Sequence, residues 1–283
     1  MALHRMTYWR TVGRGLGLGL LDVAIVISLG ISIFYLFAGY AVRPYERGFY
    51  CNDTSIRGPF LHNTVTTRHL LLITLVAPVL GIGLFESLFY RNSNGANRLA
   101  KLYRSISLEY CEYLLAYTVC TIFMEFFKCY FGRLRPHFLS ACDPDWSRMD
   151  CSTDPSAYIP QIYCKATEHR VRVSRTSFPS GHSSAASFVF FYFVVYTRRL
   201  STALPTATSI RTARTILLPV LALWWMTVLV TRVTDSWHFP TDVIGGLALG
   251  AISIYIPFNL LQDPRPRRVF EKRQLDAPRP KNA

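Results

Sequence analysis

The chain has 283 residues, 51% of them hydrophobic, 14% aromatic and only 17% charged, with a formal net charge of +14. This balance argues against one or two soluble domains and reads as a membrane protein. The positive charge would suit nucleic acid in a soluble protein, but the basic residues cluster in segments between long apolar runs, so they are read as membrane topology and no nucleic-acid partner is expected.

Residues 1–14 are polar, with Arg5, Arg10 and Arg14, and an apolar run follows from Gly15 to Tyr40 with Asp22 inside it. That is long enough for a first span; it exceeds the apolar core of a signal peptide, and no small-residue cleavage site stands out. The segment from Ala41 to about Arg68 turns polar and contains the sequon Asn52-Asp53-Thr54, which makes Asn52 the candidate glycosylation site. A second span runs over about 70–90, a polar turn-like segment over 91–106, and a third span over about 107–127. Glu125 lies three residues before Lys128, a spacing that predicts an ion pair on one helix face. The region from Lys128 to Pro179 is the longest polar stretch and has no uniform apolar period, so it is expected to lack regular structure and to carry function.

Spans four to six are expected at about 181–197, 215–231 and 241–261. The last contains Gly246 and Gly250, a spacing that lets helices approach closely, within one bundle or between copies. The predicted fold is therefore all-α: a six-span transmembrane helical bundle over residues 1–261 with a long outer loop between spans three and four, and a basic, Pro-rich tail over 262–283. Six spans put both termini on one side, and the Lys and Arg of the short segments make that side cytoplasmic. The plasma membrane is the expected location, with endoplasmic reticulum and endosome as alternatives. Among the seven cysteines, Cys51 lies in one outer segment and Cys142, Cys151 and Cys164 in another, so one or two disulfides are expected there with the connectivity open.

Three clusters share this outer side. Lys128 and Arg135 are seven apart, two turns if helical, so both cations can face one point. Ser180 can cap a helix, and its hydroxyl with the backbone donors of Gly181 and His182 would form an anion cradle beside the His182 ring. In the third cluster His238 and Asp242 are four apart; if Pro240 opens a helix they share a face, and the carboxylate can hold one imidazole nitrogen while the other stays free. Arg232 lies outside that helix and can fold back with its planar fork of donors. Singly, these are snorkelling residues, an ordinary helix start and a loop with scattered charge. Together they suit phosphoryl transfer through a covalent intermediate. His238 would attack phosphorus, Asp242 would orient it, His182 would act as acid and then base, and Lys128, Arg135, Ser180, Gly181 and Arg232 would bind the phosphate oxygens. No spacing of metal ligands accompanies them, so no metal or other cofactor is expected.

At these residues the chain resembles the type 2 phosphatidate phosphatases, the integral-membrane lipid phosphate phosphatases. Lys128 to Arg135-Pro136, then Pro179-Ser180-Gly181-His182, then Arg232, His238 and Asp242 stand at the spacing of that family's three motifs. Pro44 to Phe49 and Cys51-Asn52-Asp53 resemble the first outer loop of the animal branch. The resemblance implies a six-span bundle, an outward-facing active site, metal-independent hydrolysis and homo-oligomers. It implies as substrates phosphatidate, lysophosphatidate, sphingosine 1-phosphate or ceramide 1-phosphate. Two departures stand out: Thr231 occupies a position where the family usually has Ser, and the long loop contains no Asn, which leaves Asn52 alone for a glycan. Competing readings are a phosphatase for a polyprenyl diphosphate or a sugar phosphate, a catalytically silent lipid-phosphate binder, and a transporter. Intact His182, His238 and Asp242 argue against the silent binder, and the lack of an internal repeat against the transporter.

Overall fold

Long apolar runs must satisfy their backbone internally in lipid, and helices do so. The computed structural model describes residues 42–91, 98–203 and 208–256, together with Ala24, Ile27, Ser28, Gly30 and Ile31, which are helical. Most of the first expected span, with Asp22, and the tail over 262–283 lie outside the described residues. The helices are α1 (Thr67–Phe89), α2 (Arg98–Phe131), α3 (Phe138–Cys142), α4 (Glu168–Ser174), α5 (Gly181–Ala203), α6 (Thr208–Thr234) and α7 (Pro240–Tyr255). Among the described residues α1, α2 and α6 are long and apolar enough to cross a membrane, and α7 is a shorter apolar helix. Leu72, Leu80, Leu84, Ile216, Leu223 and Ile244 point outward from the bundle, as a lipid-facing surface requires.

α2 is longer than the span expected over 107–127. Its 34 residues take in Arg98, Lys101 and Arg104, which the sequence reading left in a polar connection. Arg, Lys, Leu and Ala are good helix formers, so the charge there marks the end of the apolar stretch and not the end of the helix. α5 likewise extends beyond 181–197. It is the central helix, packed on α1, α2, α6 and α7, and so tolerates the buried Ser183, Ser184 and Ser187 that weaken its apolar signal.

The packing follows from small residues and rings. Gly246 and Gly250 lay α7 directly on α5: a Cβ at Gly246 would run into the Ser180 carbonyl, and one at Gly250 would lie 2.8 Å from the Phe188 nitrogen. The Gly spacing is thus used inside the bundle. Phe85, Tyr113, Phe188, Tyr192 and Tyr196 fill the core between α1, α2 and α5. Pro78 in α1 cannot donate to the Thr74 carbonyl, and the Tyr113 hydroxyl takes that acceptor at 2.7 Å. The buried Glu86 carboxylate accepts from the Ser105 and Tyr196 hydroxyls, each at 2.8 Å.

The long polar region is folded, contrary to expectation. It contains α3, α4, a 3-10 turn at Trp146–Arg148 and the strand β2 (Tyr158–Ile159), which pairs antiparallel with β1 (Phe49–Tyr50) of the segment before α1. Disulfides Cys51–Cys151 and Cys142–Cys164 fasten it. Phe49, Ile56, Leu134, Phe138, Leu139 and Cys142 give it a small core of its own. Short elements held by cross-links leave no long apolar period, which is why the sequence pattern concealed them.

Candidate active site

Two chain reversals build one wall of the site. At the end of α6, Ser236 adopts a left-handed φ of 60°. The N–H of Trp237 then reaches the Arg232 carbonyl at 3.1 Å, and that of Ser236 reaches Val233 at 3.0 Å. This doubly bonded helix end turns the chain back and sets His238, whose own N–H also donates to the Arg232 carbonyl at 3.0 Å. Phe239 is the N-cap of α7 and Pro240 opens the helix, so His238 lies ahead of it, not on its face.

The second reversal ends α2. Gly132, with φ +51°, stops the helix after Phe131 because it packs against the Tyr45 backbone where no Cβ fits. Lys128 therefore stays on the helix while Arg135 lies beyond its end in a segment without regular structure; the expected two-turn helical spacing does not occur. The two side chains nevertheless line one cavity of about 1420 Å³, together with Gly181, His182, Trp237 and His238. The same cavity continues along Leu70, Leu71, Leu75 and Leu114, an apolar wall between helices.

Ser180 caps α5 as expected: its hydroxyl accepts the Ser183 N–H at 3.3 Å, and its own N–H donates to the Asp242 carbonyl at 3.0 Å. Lys128 sits against this helix start, where a Cβ on Gly181 would come 3.1 Å from its Nζ. Lys128 also makes the expected ion pair with Glu125, at 2.8 Å.

The imidazole of His238 is held differently from the sequence expectation. Its Nδ1 donates to the Ser177 carbonyl at 2.8 Å, while the nearest Asp242 oxygen is 3.7 Å away. A carbonyl only accepts, so Nδ1 carries the hydrogen and Nε2 keeps its lone pair. The Asp242 oxygens are taken by other donors: Oδ1 accepts from Arg133 Nη1 at 2.6 Å, and Oδ2 from the Ser177 hydroxyl at 2.6 Å and the Phe239 N–H at 2.9 Å. The carboxylate thus holds the segment whose carbonyl holds the ring, and adds its charge from a distance. Burial, reinforced by the Arg135 charge, depresses the His238 pKa below the ordinary histidine value, so the ring is neutral. Burial also lowers Arg135, to about 10, with Asp242 opposing and the neighbouring Arg232 adding to the effect.

Arg232 lies on α6 itself and is fully buried. Three nitrogens of the sequence-predicted site residues are buried without a hydrogen-bond partner: Nε of Arg135, Nε of Arg232 and Nε2 of His182. Buried donors are seldom left this way, and an anion is the ligand that satisfies two guanidinium donors and an imidazole together. Thr231 keeps its hydroxyl on the Thr227 carbonyl at 2.8 Å, and that hydroxyl also accepts from Nη2 of Arg232 at 3.3 Å. Asn52 is exposed in the turn after β1. No group of three or more His, Cys, Asp or Glu side chains that could hold a metal occurs among the described residues.

The sequence reading missed Arg133, Ser177 and Asn63. Arg133 stands just past the end of α2, two residues before Arg135, and reaches Asp242 from there. That placement is readable only if the end of the helix at Gly132 is anticipated. Ser177 acts partly through a backbone carbonyl, which no residue type announces.

Fold and site together define an all-α membrane protein with a cationic cavity at one end of its bundle. Residues 109–266 match the PAP2 superfamily, and the chain belongs to that family, the type 2 phosphatidate phosphatases. It is 33% identical over 251 residues to phospholipid phosphatase 2 of Bos taurus, covering 86% of this chain and 82% of the relative. It is 34% identical over 243 residues to phospholipid phosphatase 2 of Homo sapiens, covering 82% and 78%. A putative phosphatidate phosphatase of Drosophila melanogaster is 30% identical over 265 residues, covering 86% and 68%. No solved structure matches the chain.

Proposed function

We propose that this enzyme, a phosphatidate phosphatase-class hydrolase by family and relatives, hydrolyses lipid phosphate monoesters through a phosphohistidine on His238. Phosphatidate, lysophosphatidate, sphingosine 1-phosphate and ceramide 1-phosphate are the proposed substrates. The observation that carries the reading is the trio of unpartnered buried nitrogens on Arg135, Arg232 and His182. It is supported by the cavity that joins His182 and His238 and runs on into an apolar wall suited to an acyl chain.

In the first step the Nε2 lone pair of His238 attacks phosphorus while the bond to the lipid oxygen breaks. Nδ1–H, donated to the Ser177 carbonyl, remains in place as the ring becomes cationic, and the nearby Asp242 charge stabilises it. His182 gives its proton to the leaving alkoxide; in the second step it takes one from the water that cleaves the phosphohistidine and releases inorganic phosphate. Lys128, Arg135, Arg232, the Ser180 hydroxyl and the backbone donor at Gly181 stabilise the oxygens as their charge redistributes. None of these steps calls on a metal.

The proposed topology is six spans over residues 1–261, with both termini and the 262–283 tail cytoplasmic and the site at the outer or lumenal leaflet of the plasma membrane. Two disulfides on the site's end of the bundle fit an oxidising compartment, and exposed Asn52 on that end fits a glycan. Homo-oligomers, if formed, would use a face other than Gly246 and Gly250, which are covered by α5.

The test is phosphate release from detergent-solubilised protein given lysophosphatidate with excess chelator, wild type beside His238→Ala. Release by the wild type alone, undiminished by chelator, is expected. Equal release by both proteins, or release abolished by chelation, would overturn the mechanism.

A further inference from the structure

Among the side chains that line the cavity is Asn63, in the segment ahead of α1. Its Oδ1 accepts a 2.6 Å hydrogen bond from Nη1 of Arg232, 169 residues away in sequence. The other bonds of that guanidinium are longer: Nη2 meets the Thr231 hydroxyl at 3.3 Å and Asp235 at 3.5 Å, and Nε has no partner. A guanidinium is planar, so a short bond at one nitrogen fixes the direction in which its remaining donors point.

Asn63 is itself held in place. The N–H and hydroxyl of Thr64 donate to Asp235 at 2.8 and 3.0 Å. The Trp237 indole donates to the Leu61 carbonyl at 3.2 Å, and the Gly58 N–H to the Pro136 carbonyl at 2.8 Å. The 58–64 segment is therefore bonded to the turn that carries His238 and to the residue that follows Arg135. A short, charge-assisted bond from a fastened loop to a buried guanidinium holds that group better than solvent could.

We propose that Asn63 is a positioning residue for phosphate binding, acting by fixing the plane of Arg232 so that its unpartnered Nε faces the bound anion. This rests on the reading of the cavity as a phosphate-ester site. It assigns the outer segment before α1 a part in the site beyond that of a connection.

The experiment uses the detergent-solubilised full chain, with lysophosphatidate as substrate and orthovanadate as a phosphate-like inhibitor. Asn63→Ala should raise KM and the vanadate inhibition constant about tenfold, the worth of a hydrogen bond to a charged group, at an unchanged unfolding temperature. Asn63→Asp keeps an acceptor at the same reach and should recover most of both. Wild-type values for Asn63→Ala would overturn the proposal. So would loss of kcat with a lowered unfolding temperature in both variants, which marks the contact as structural. Wild-type phosphate release is measured in the same assay: its absence counts against the phosphatase reading, whereas its presence with an unaffected Asn63→Ala removes only the role of Asn63.

Discussion

The body of the bundle and its site end are held together by different physics. In the body, apart from a few directional bonds such as those to Glu86, rings and backbone meet by shape: Tyr113 lies edge-on to Tyr192 with centroids 4.8 Å apart, and Gly250 lets the Phe188 backbone come close. At the site end, buried polar groups are fixed by short directional bonds, Arg133 to Asp242 and Arg232 to Asn63 at 2.6 Å and His238 to Ser177 at 2.8 Å. Shape packing has many near-equivalent solutions and is felt as stability; directional bonds fix single atoms and are felt as chemistry. Changes at the site end should therefore move rates with little effect on unfolding, and changes in the body should do the reverse.

The sharpest break of that contrast is His238→Ala. Phosphate release should fall by about four orders of magnitude or more while the unfolding temperature barely moves. A variant that unfolds and loses activity together would blur the distinction. Next comes Arg133→Ala, which leaves the Asp242 carboxylate without its cation. kcat should drop by about ten- to a hundredfold, with KM changed less and partial recovery in Arg133→Lys. Activity equal to wild type would mean that the 2.6 Å pair does not organise the proposed nucleophile.

In the body, Gly250→Val puts branched carbon against the Ser184 and Phe188 backbone and should cost about 1–3 kcal/mol of stability. The fraction that remains folded should keep the wild-type KM, as substrate titration of monodisperse protein would reveal. The smallest effect expected is with pH. Burial holds His137 at about 4 and also keeps His238 below the ordinary histidine value. Between about pH 6.5 and pH 4 the unfolded chain takes up protons that the folded chain refuses, so stability falls as pH falls. Unfolding temperatures measured across that window should decline on acidification, and less steeply in His137→Phe. A rise would contradict the burial of these rings.

Much of the candidate site was legible because the chemistry proposed for it depends on residue type and spacing. Lys128, Arg135, Ser180, His182, Arg232, His238 and Asp242 were all nameable from three short stretches, and the structure gathers them at one end of the bundle. What holds them was not legible. The Ser177 carbonyl that fixes the His238 tautomer would be offered by any residue at that position, and Asn63 meets Arg232 only through tertiary structure. In the fold, the apolar runs announced α1, α6 and α7. The full length of α2 was hidden by charged helix formers, and the centrality of α5 by its serines, which read as polarity until their neighbours are known. The cross-linked loops at the site end were the least readable part, since disulfides and short pairings replace periodicity there.

The most direct test of the central claim is to trap the covalent intermediate. Wild-type protein is mixed with lysophosphatidate labelled in its phosphate, quenched in base within one turnover, and digested to locate the label. The label should sit on the peptide that contains His238, be stable in base and labile in acid, and vanish in His238→Ala. Turnover in the wild type with no labelled peptide, or with the label on another residue, would contradict nucleophilic attack by His238.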